Sequence, residues 1–362
     1  GVEIDLSSKD TSAPAIATRL LDALNLTATP GTISAPQQSD FDLLPVYSGI
    51  RLCNLSALGV VNAYEGDTGF TLDGTNGDVM VEVPAYWHKR TFTPNVSIAE
   101  CMSTGPLPGY TKHPAFDRPG IYADMDKIYV SPFNLSGDAS MLNSVANATA
   151  FNGTVADART AITNKGSNWY LYDYTANCAL ITLFLIEYAR LDTAELLPYT
   201  SANPGVAIQT LPGHTGFDIQ SGSDQTLSKY RNIEGFMGMS NTLVEGLRGS
   251  YSTSNYYMYN FVIQDPTQFG KINGDSMWSR SLTTSVLQPR GCMDLPWQFF
   301  PVTGSATAGT WAGQIPARYS SNVSAGSSVM RFRSPAGLFN MTSISADNAF
   351  QKYYGMYLPP KP

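Results

Sequence analysis

One stretch constrains this chain more than any other. From residue 175 to 190 it reads Thr-Ala-Asn-Cys-Ala-Leu-Ile-Thr-Leu-Phe-Leu-Ile-Glu-Tyr-Ala-Arg. Wound as a helix, that sequence is apolar nearly all round instead of along one stripe, so the helix must be enclosed by other protein. Asp173 or Thr175 is placed to cap its first turn. Its longest apolar run, 179–186 with only Thr182 interrupting, falls well short of the roughly 18 residues a membrane span requires. The fold therefore has to wrap further layers around one central helix.

A second helix is predicted at about 155–164, closed by Gly166. A third is expected near the N-terminus. Thr11 or Ser12 can cap it, Pro14 suits its first turn, and Ile16, Leu20, Leu21 and Leu24 recur at helical spacing. Residues 27–38, rich in Thr, Pro, Gly, Ser and Gln, then read as a linker.

Elsewhere the punctuation is that of strands. Val79-Met80-Val81-Glu82-Val83-Pro84 follows the turn Asp73-Gly74-Thr75-Asn76-Gly77, and Lys127-Ile128-Tyr129-Val130-Ser131-Pro132-Phe133 reads as another strand. Residues 197–229 read as a loop, and 230–362 as short strands and long loops. Helices in one part and strands outside it argue for an α+β fold with mostly antiparallel strands. The predicted division is an N-terminal helix and linker at 1–40 and one large domain at 41–362.

Composition narrows the function. Hydrophobic residues make up 43% of the chain, enough for a core. Charged residues are only 14%, with a net charge of −7 and no basic tract, which argues against a nucleic-acid partner. No membrane insertion is expected, and no signal peptide is visible at the start.

Sites for chemistry are sparse. The four cysteines, Cys53, Cys101, Cys178 and Cys292, form no C-x-x-C pair and read as free thiols. The three histidines, His88, His113 and His214, sit in no metal-ligand or nucleophile motif and read as surface or packing residues. Asp67, Asp73, Asn76 and Asp78 miss the spacing of a calcium loop and read as turn residues. Asp124 and Asp126 read as solvating a turn. Gly235-Phe236-Met237-Gly238 lacks the context of a phosphate loop. No cofactor and no metal is expected. The sequons at Asn25, Asn54, Asn95, Asn134, Asn147, Asn152, Asn322 and Asn340 fit chance in a chain rich in Ser, Thr and Asn.

The informative signal is 20 tyrosines. Tyr251-Ser252-Thr253-Ser254-Asn255-Tyr256-Tyr257-Met258-Tyr259-Asn260 has the composition of a binding loop, where Tyr supplies contact area and Ser and Asn supply adaptable hydrogen bonds. An alternating strand with packed tyrosines explains it equally well. A similar stretch, 318–357, contains Tyr319, Asn322, Arg331, Phe332, Arg333, Asn340, Asn348, Phe350, Gln351, Lys352 and Tyr353. Trp297, Phe299, Phe300 and Trp311 read as core or interface anchors. The candidate ligand-binding set is Tyr256, Tyr257, Tyr259, Trp311, Tyr319, Arg331, Phe332, Arg333, Asn340, Asn348, Phe350, Gln351 and Tyr353.

An ordered series of segments carries a resemblance. It runs Phe41-Asp42-Leu43-Leu44-Pro45, Arg51-Leu52-Cys53-Asn54-Leu55, Gly59-Val60-Val61-Asn62-Ala63-Tyr64 and Met80-Val81-Glu82-Val83-Pro84-Ala85-Tyr86-Trp87. It continues through His113-Pro114-Ala115-Phe116, Ala158-Arg159, Trp169, Asp173-Tyr174, Leu183-Phe184-Leu185-Ile186-Glu187-Tyr188-Ala189 and Tyr230-Arg231-Asn232-Ile233-Glu234-Gly235-Phe236. In this order the chain from about residue 41 resembles phage and prophage tail proteins with a C-type-lectin fold. That group includes the variable proteins of diversity-generating retroelements, of the major tropism determinant kind. Where the group has Asp-Gly, this chain has Glu245-Gly246, and the terminal Gly-x-Arg-Leu is Gly355-Met356-Tyr357-Leu358. The calcium-lectin triplets are absent, so calcium-dependent sugar binding is not implied.

The resemblance implies a non-enzymatic host-recognition protein, located at a virion tail tip or displayed on a cell surface. Residues 318–357 would carry the face that meets a host cell-surface protein or glycan. The segment before Phe41 would dock to other tail proteins, and a homotrimer is one arrangement it implies. Two alternatives stand beside this reading. One is a structural virion component with no receptor site. The other is an enzyme of the formylglycine-generating type, for which Cys178 and Cys292 are the only conceivable pair.

Overall fold

The computed structural model describes residues 1–5, 17–93, 97–190, 196–197, 213–219, 226–236, 245–251, 258–262, 264–269, 278–281, 285–292, 295–304, 340–343 and 353–360. The architecture is mixed, with three α-helices and several antiparallel sheets among the described residues. The helices are α1 (Pro45–Ser48), α2 (Val155–Thr163) and α3 (Tyr174–Tyr188).

The central helix forms as its sequence requires. All 15 residues of α3 are buried. Asp173 caps its N-terminus by accepting the Ala176 N–H at 2.8 Å. Ala189 ends it in the left-handed region at φ 48°. The shorter helix α2 starts on a reciprocal capping box. Thr154 accepts from the Asp157 backbone N–H, and the Asp157 carboxylate accepts from the Thr154 N–H.

The larger sheet has six strands. Their spatial order is Trp169–Leu171, Gly355–Tyr357, Lys127–Val130, Asp78–Pro84, Arg51–Leu55 and Val61–Tyr64. Its alternation builds two cores. Leu52, Val79, Val81, Val83, Ile128, Val130 and Met356 join the core that contains α3. Cys53, Leu55, Met80, Tyr129, Trp169, Leu171 and Tyr357 join the core that contains α2. Period-two alternation thus sends successive side chains to opposite faces, and each face is covered by one helix. The strand Gly355–Tyr357 lies between Trp169–Leu171 and Lys127–Val130, as the second of the six strands.

The second sheet has five strands, in the order Thr111–Lys112, Trp87–Thr93, Ser97–Ser103, Val2–Asp5 and Ala17–Arg19. Val2, Ile4, Ala17 and Ile98 from this sheet share the α3 core. That core therefore holds side chains of both sheets and of the helix.

Two expectations are corrected. The N-terminal helix does not form in the described part: Ala17–Arg19 is a strand paired with Val2–Asp5, followed by a single 3-10 turn at Leu21–Ala23. Leu21 and Leu24, which would have lined a buried stripe, are 67% and 59% exposed. A short helix with no buried face is marginal, whereas the edge of Val2–Asp5 offers a ladder that satisfies the backbone. The stretch 197–229 is likewise not all loop. Gly216–Ile219 and Thr226–Tyr230 pair as antiparallel strands, joined onward to Ile233–Glu234.

Candidate functional site

Two of the predicted contact residues lie in described strands. Tyr259 is in Met258–Val262, paired opposite Ser250, and Asn340 begins Asn340–Ser343, paired opposite Ser281. Tyr353 is a correction. It is 2% exposed, its ring packs edge-on against Phe151, and its hydroxyl donates to the Gly153 carbonyl at 2.9 Å. Its aromatic bulk fills the α2 core, and its one polar atom is already used. Tyr256, Tyr257, Trp311, Tyr319, Arg331, Phe332, Arg333, Asn348, Phe350 and Gln351 lie outside the described residues.

The structure does describe how this C-terminal part is held. The chain passes Glu234–Phe236 and re-enters the sheet through Tyr353–Leu358. These two stems are adjacent, because the Tyr354 hydroxyl donates to the Glu234 carbonyl at 2.8 Å. The Glu234 N–H in turn donates to the Pro132 carbonyl at 2.9 Å.

Between the stems stands an antiparallel hairpin. Its strands, Leu247–Tyr251 and Met258–Val262, are in register from Leu247–Val262 to Tyr251–Met258. The Ser-Thr-Ser-Asn-Tyr-Tyr connection therefore joins the end of the hairpin away from its feet. The first foot, Glu245, is locked to the junction that precedes α3. Its N–H donates to the Tyr172 carbonyl at 2.9 Å, and its carbonyl accepts the Tyr174 N–H at 2.8 Å. The Glu245 carboxylate, 1% exposed, accepts a fork from Arg159 of α2 at 2.7 and 2.9 Å. Gly246 follows at φ +76°, a left-handed conformation that glycine adopts without strain.

The second foot is held by a buried cation. Arg118, 1% exposed, donates through Nη1 and Nη2 to the two oxygens of Asp173, and through Nε to the Ala115 carbonyl at 3.2 Å. Nη1 also reaches the Gln264 carbonyl at 3.4 Å. Just beyond, Asp265 caps the 3-10 turn Pro266–Gln268, and the Phe269 ring meets Tyr170 edge-on. Asp173 therefore serves three elements at once: it caps α3, pairs with Arg118 and lies beside Glu245 in a parallel bridge.

A second polar cluster lies at the other end of α3. Arg231 donates to the fully buried Glu187 through Nε at 3.1 Å and Nη2 at 2.6 Å. Glu187 also accepts from Ser39 at 2.9 Å and Tyr230 at 3.1 Å. Burial first, and the Glu187 charge second, push the Tyr230 phenol well above its ordinary pKa. Towards the surface, Arg231 Nη1 lies 2.8 Å from Asp42 and 2.7 Å from His214 Nε2. Burial works against the Asp42 carboxylate, yet the His214 hydrogen bond and the Arg231 charge hold its pKa below the ordinary value. Arg231 and Asn232 have φ of 48° and 67° and make the two-residue turn between Thr226–Tyr230 and Ile233–Glu234. Two successive residues with positive φ suit the twist of such a hairpin, and the Glu187 pair offsets the strain of a non-glycine residue there.

The remaining candidates are structural. His88 pairs with Glu100 at 2.7 Å, and the His113 Nδ1 accepts the Ala115 N–H at 3.1 Å. Both histidines are buried. Desolvation, followed by the charges of His88 and Arg90, lowers the His113 pKa well below its ordinary value and keeps the ring neutral. Asp73 accepts from Thr75 in a local turn, and Asp124 pairs with Lys112 at 2.7 Å. Cys53 and Cys178 are buried, and Cys101 is half-buried. Among the described residues no group of three or more His, Cys, Asp or Glu could hold a metal ion. No described helix is long and apolar enough to cross a membrane.

In comparison with known proteins, no family model matches the chain, and no curated protein and no solved structure matches it.

Proposed function

We propose that the chain is a non-enzymatic receptor-binding protein on a C-type-lectin fold, acting at the tail tip of a phage or prophage. The observation that supports this most is the path of the C-terminal part. It leaves a closed scaffold at Phe236, returns as the sheet strand Gly355–Tyr357, and has its two stems tied by the Tyr354–Glu234 hydrogen bond. Within this part Leu295–Gly304 also lies against α3 and Trp87–Thr93, and binding loops are commonly presented from a body held rigid in this way. The excursion contains the Tyr-, Ser- and Asn-rich sequence whose composition suits contact with a host cell-surface protein or glycan. In this reading the exposed residues of the region before Phe41 dock to other tail proteins while Val2, Ile4 and Ala17 hold that region in the α3 core, and the chain is either a variable protein of a diversity-generating retroelement or a near relative in kind.

The test uses the purified, fluorescently labelled chain on a panel of bacterial cells and on their outer-surface extracts. Saturable binding to some strains, competed by unlabelled chain, is the expected result. No saturable binding to any strain, with the chain incorporated into phage tails all the same, would instead identify a structural tail component.

A further inference from the structure

Resting on that reading, the geometry points to a dedicated anchor for one display arm. We infer that Arg118 and Arg159 are positioning residues which clamp the two feet of the hairpin Leu247–Val262 to the N-terminal junction of α3. Three observations carry this. The feet are fixed by different cations from different elements: Arg159 of α2 forks onto Glu245, and Arg118 bridges Asp173 to the Gln264 carbonyl. Both cations converge on one place, since Glu245 pairs through its backbone with the residues flanking Asp173. The groups are also buried beyond what an ornamental surface pair requires: the side chains of Arg118 and Asp173 are 0% exposed and Glu245 is 1% exposed.

Desolvated charges of this kind are expensive to hold unless their geometry is good, and removing one partner strands the other. A hairpin of two strands has little stability of its own. Its order must come from outside it: Leu247–Tyr251 lies beside Trp278–Ser281, and the feet are tied by bidentate and shared charge-assisted bonds. The clamp fixes the direction in which the arm leaves the body, so the ordering cost is met on folding and not on binding. The Glu245-Gly246 pair, placed where the resembled group has Asp-Gly, thereby gains a role in orientation. The longer Glu side chain reaches Arg159, and the glycine turns the chain out into the arm.

The test is amide hydrogen exchange on the full chain, with no ligand present, for the wild type, Arg159→Gln, Glu245→Gln and the double variant. These positions avoid the fully buried Arg118, the Arg159 side chain is 25% exposed, and protection in α3 and the six-stranded sheet serves as the control for folding. Exchange in 247–251 and 258–262 is expected to rise about tenfold or more in each single variant, from the loss of one charged hydrogen-bond pair. The double variant should exchange less than the two single effects combined, because both lose the shared pair. α3 and the six-stranded sheet should keep wild-type protection. Wild-type exchange of the arm in both single variants overturns the inference. So does a rise in α2 and α3 as large as that in the arm, which would mark the pair as ordinary core support. Because no ligand enters the measurement, failure of the clamp and failure of the receptor-binding reading are separate results.

Discussion

Replacing Arg231 by Met should cost more stability than almost any other single change in the described scaffold. The guanidinium is 1% exposed and makes bonds of 2.6 and 3.1 Å to Glu187, with a further contact of 2.8 Å to Asp42. Methionine keeps much of the side-chain stem, including its packing towards Tyr47, over whose ring the guanidinium sits at 5.1 Å. What it removes is the charge opposite a carboxylate that has no exposure to water. Ser39 and Tyr230 remain as donors to Glu187 and the Arg19 guanidinium stays on its backbone carbonyl, but none of them forks onto the carboxylate as Arg231 does. Stranding one member of such a buried pair costs about 3–5 kcal/mol. Replacing both members by apolar groups of similar size removes the stranded charge, so Arg231→Met with Glu187→Leu should recover most of the loss. Urea denaturation followed by tryptophan fluorescence measures all three differences. A single variant that loses less than about 1 kcal/mol would mean that Glu187 is not left stranded and that the pair contributes no more than a surface one. A double variant as unstable as the two singles added together would do the same.

Further outcomes follow from the same geometry. In Gly59→Ala a Cβ would come within 2.0 Å of the Tyr357 hydroxyl at a backbone φ of +78°; overpacking and strain together should cost about 2–4 kcal/mol in denaturant titration. Tyr353→Phe should lose about 0.5–1.5 kcal/mol with its Gly153 bond, and Tyr353→Ala about 3–5 kcal/mol, marking the residue as core; an Ala variant of unchanged melting temperature would return it to the contact face. Asp42 and Glu82 both have carboxyl pKa values held below the ordinary range despite burial, Asp42 by His214 and Arg231, and Glu82 by Lys127 and Tyr64. Depressed folded values mean that their stabilisation is present above the unfolded pKa of about 4 and is lost as pH falls through the folded values. Acid titration should therefore show stability declining below about pH 4, and the Asp42→Asn variant should decline less steeply.

Much of the scaffold is legible in the sequence because its signals are local. The all-round apolar pattern places α3 within two residues at either end, and Asp173 is the cap its position suggests. The strand at Val79–Pro84 is found as Asp78–Pro84. The N-terminal helix misleads because Leu20, Leu21 and Leu24 have helical spacing, yet pairing with Val2–Asp5 is a contact that periodicity cannot register. The charged networks are legible only in outline. Arg159, Arg231 and Glu187 all fall inside segments that carry the resemblance, but Arg231 meets Glu187 across 44 positions and Arg159 meets Glu245 across 86. No spacing rule connects residues so far apart. Glu245 stands out beforehand only as a departure from Asp-Gly. Tyr353 misleads for a different reason: tyrosine serves a contact face and a core equally well, and only burial separates the two.

In the proposed function the C-terminal part meets a host surface and the scaffold holds it in place. The direct measurement compares labelled wild-type chain with a variant carrying Tyr256→Ala, Tyr257→Ala, Arg331→Ala and Arg333→Ala, on a bacterial strain that binds the wild type. Loss of cell binding with a melting temperature within about 2 °C of the wild type is the predicted result. Undiminished binding by the folded variant would contradict the claim.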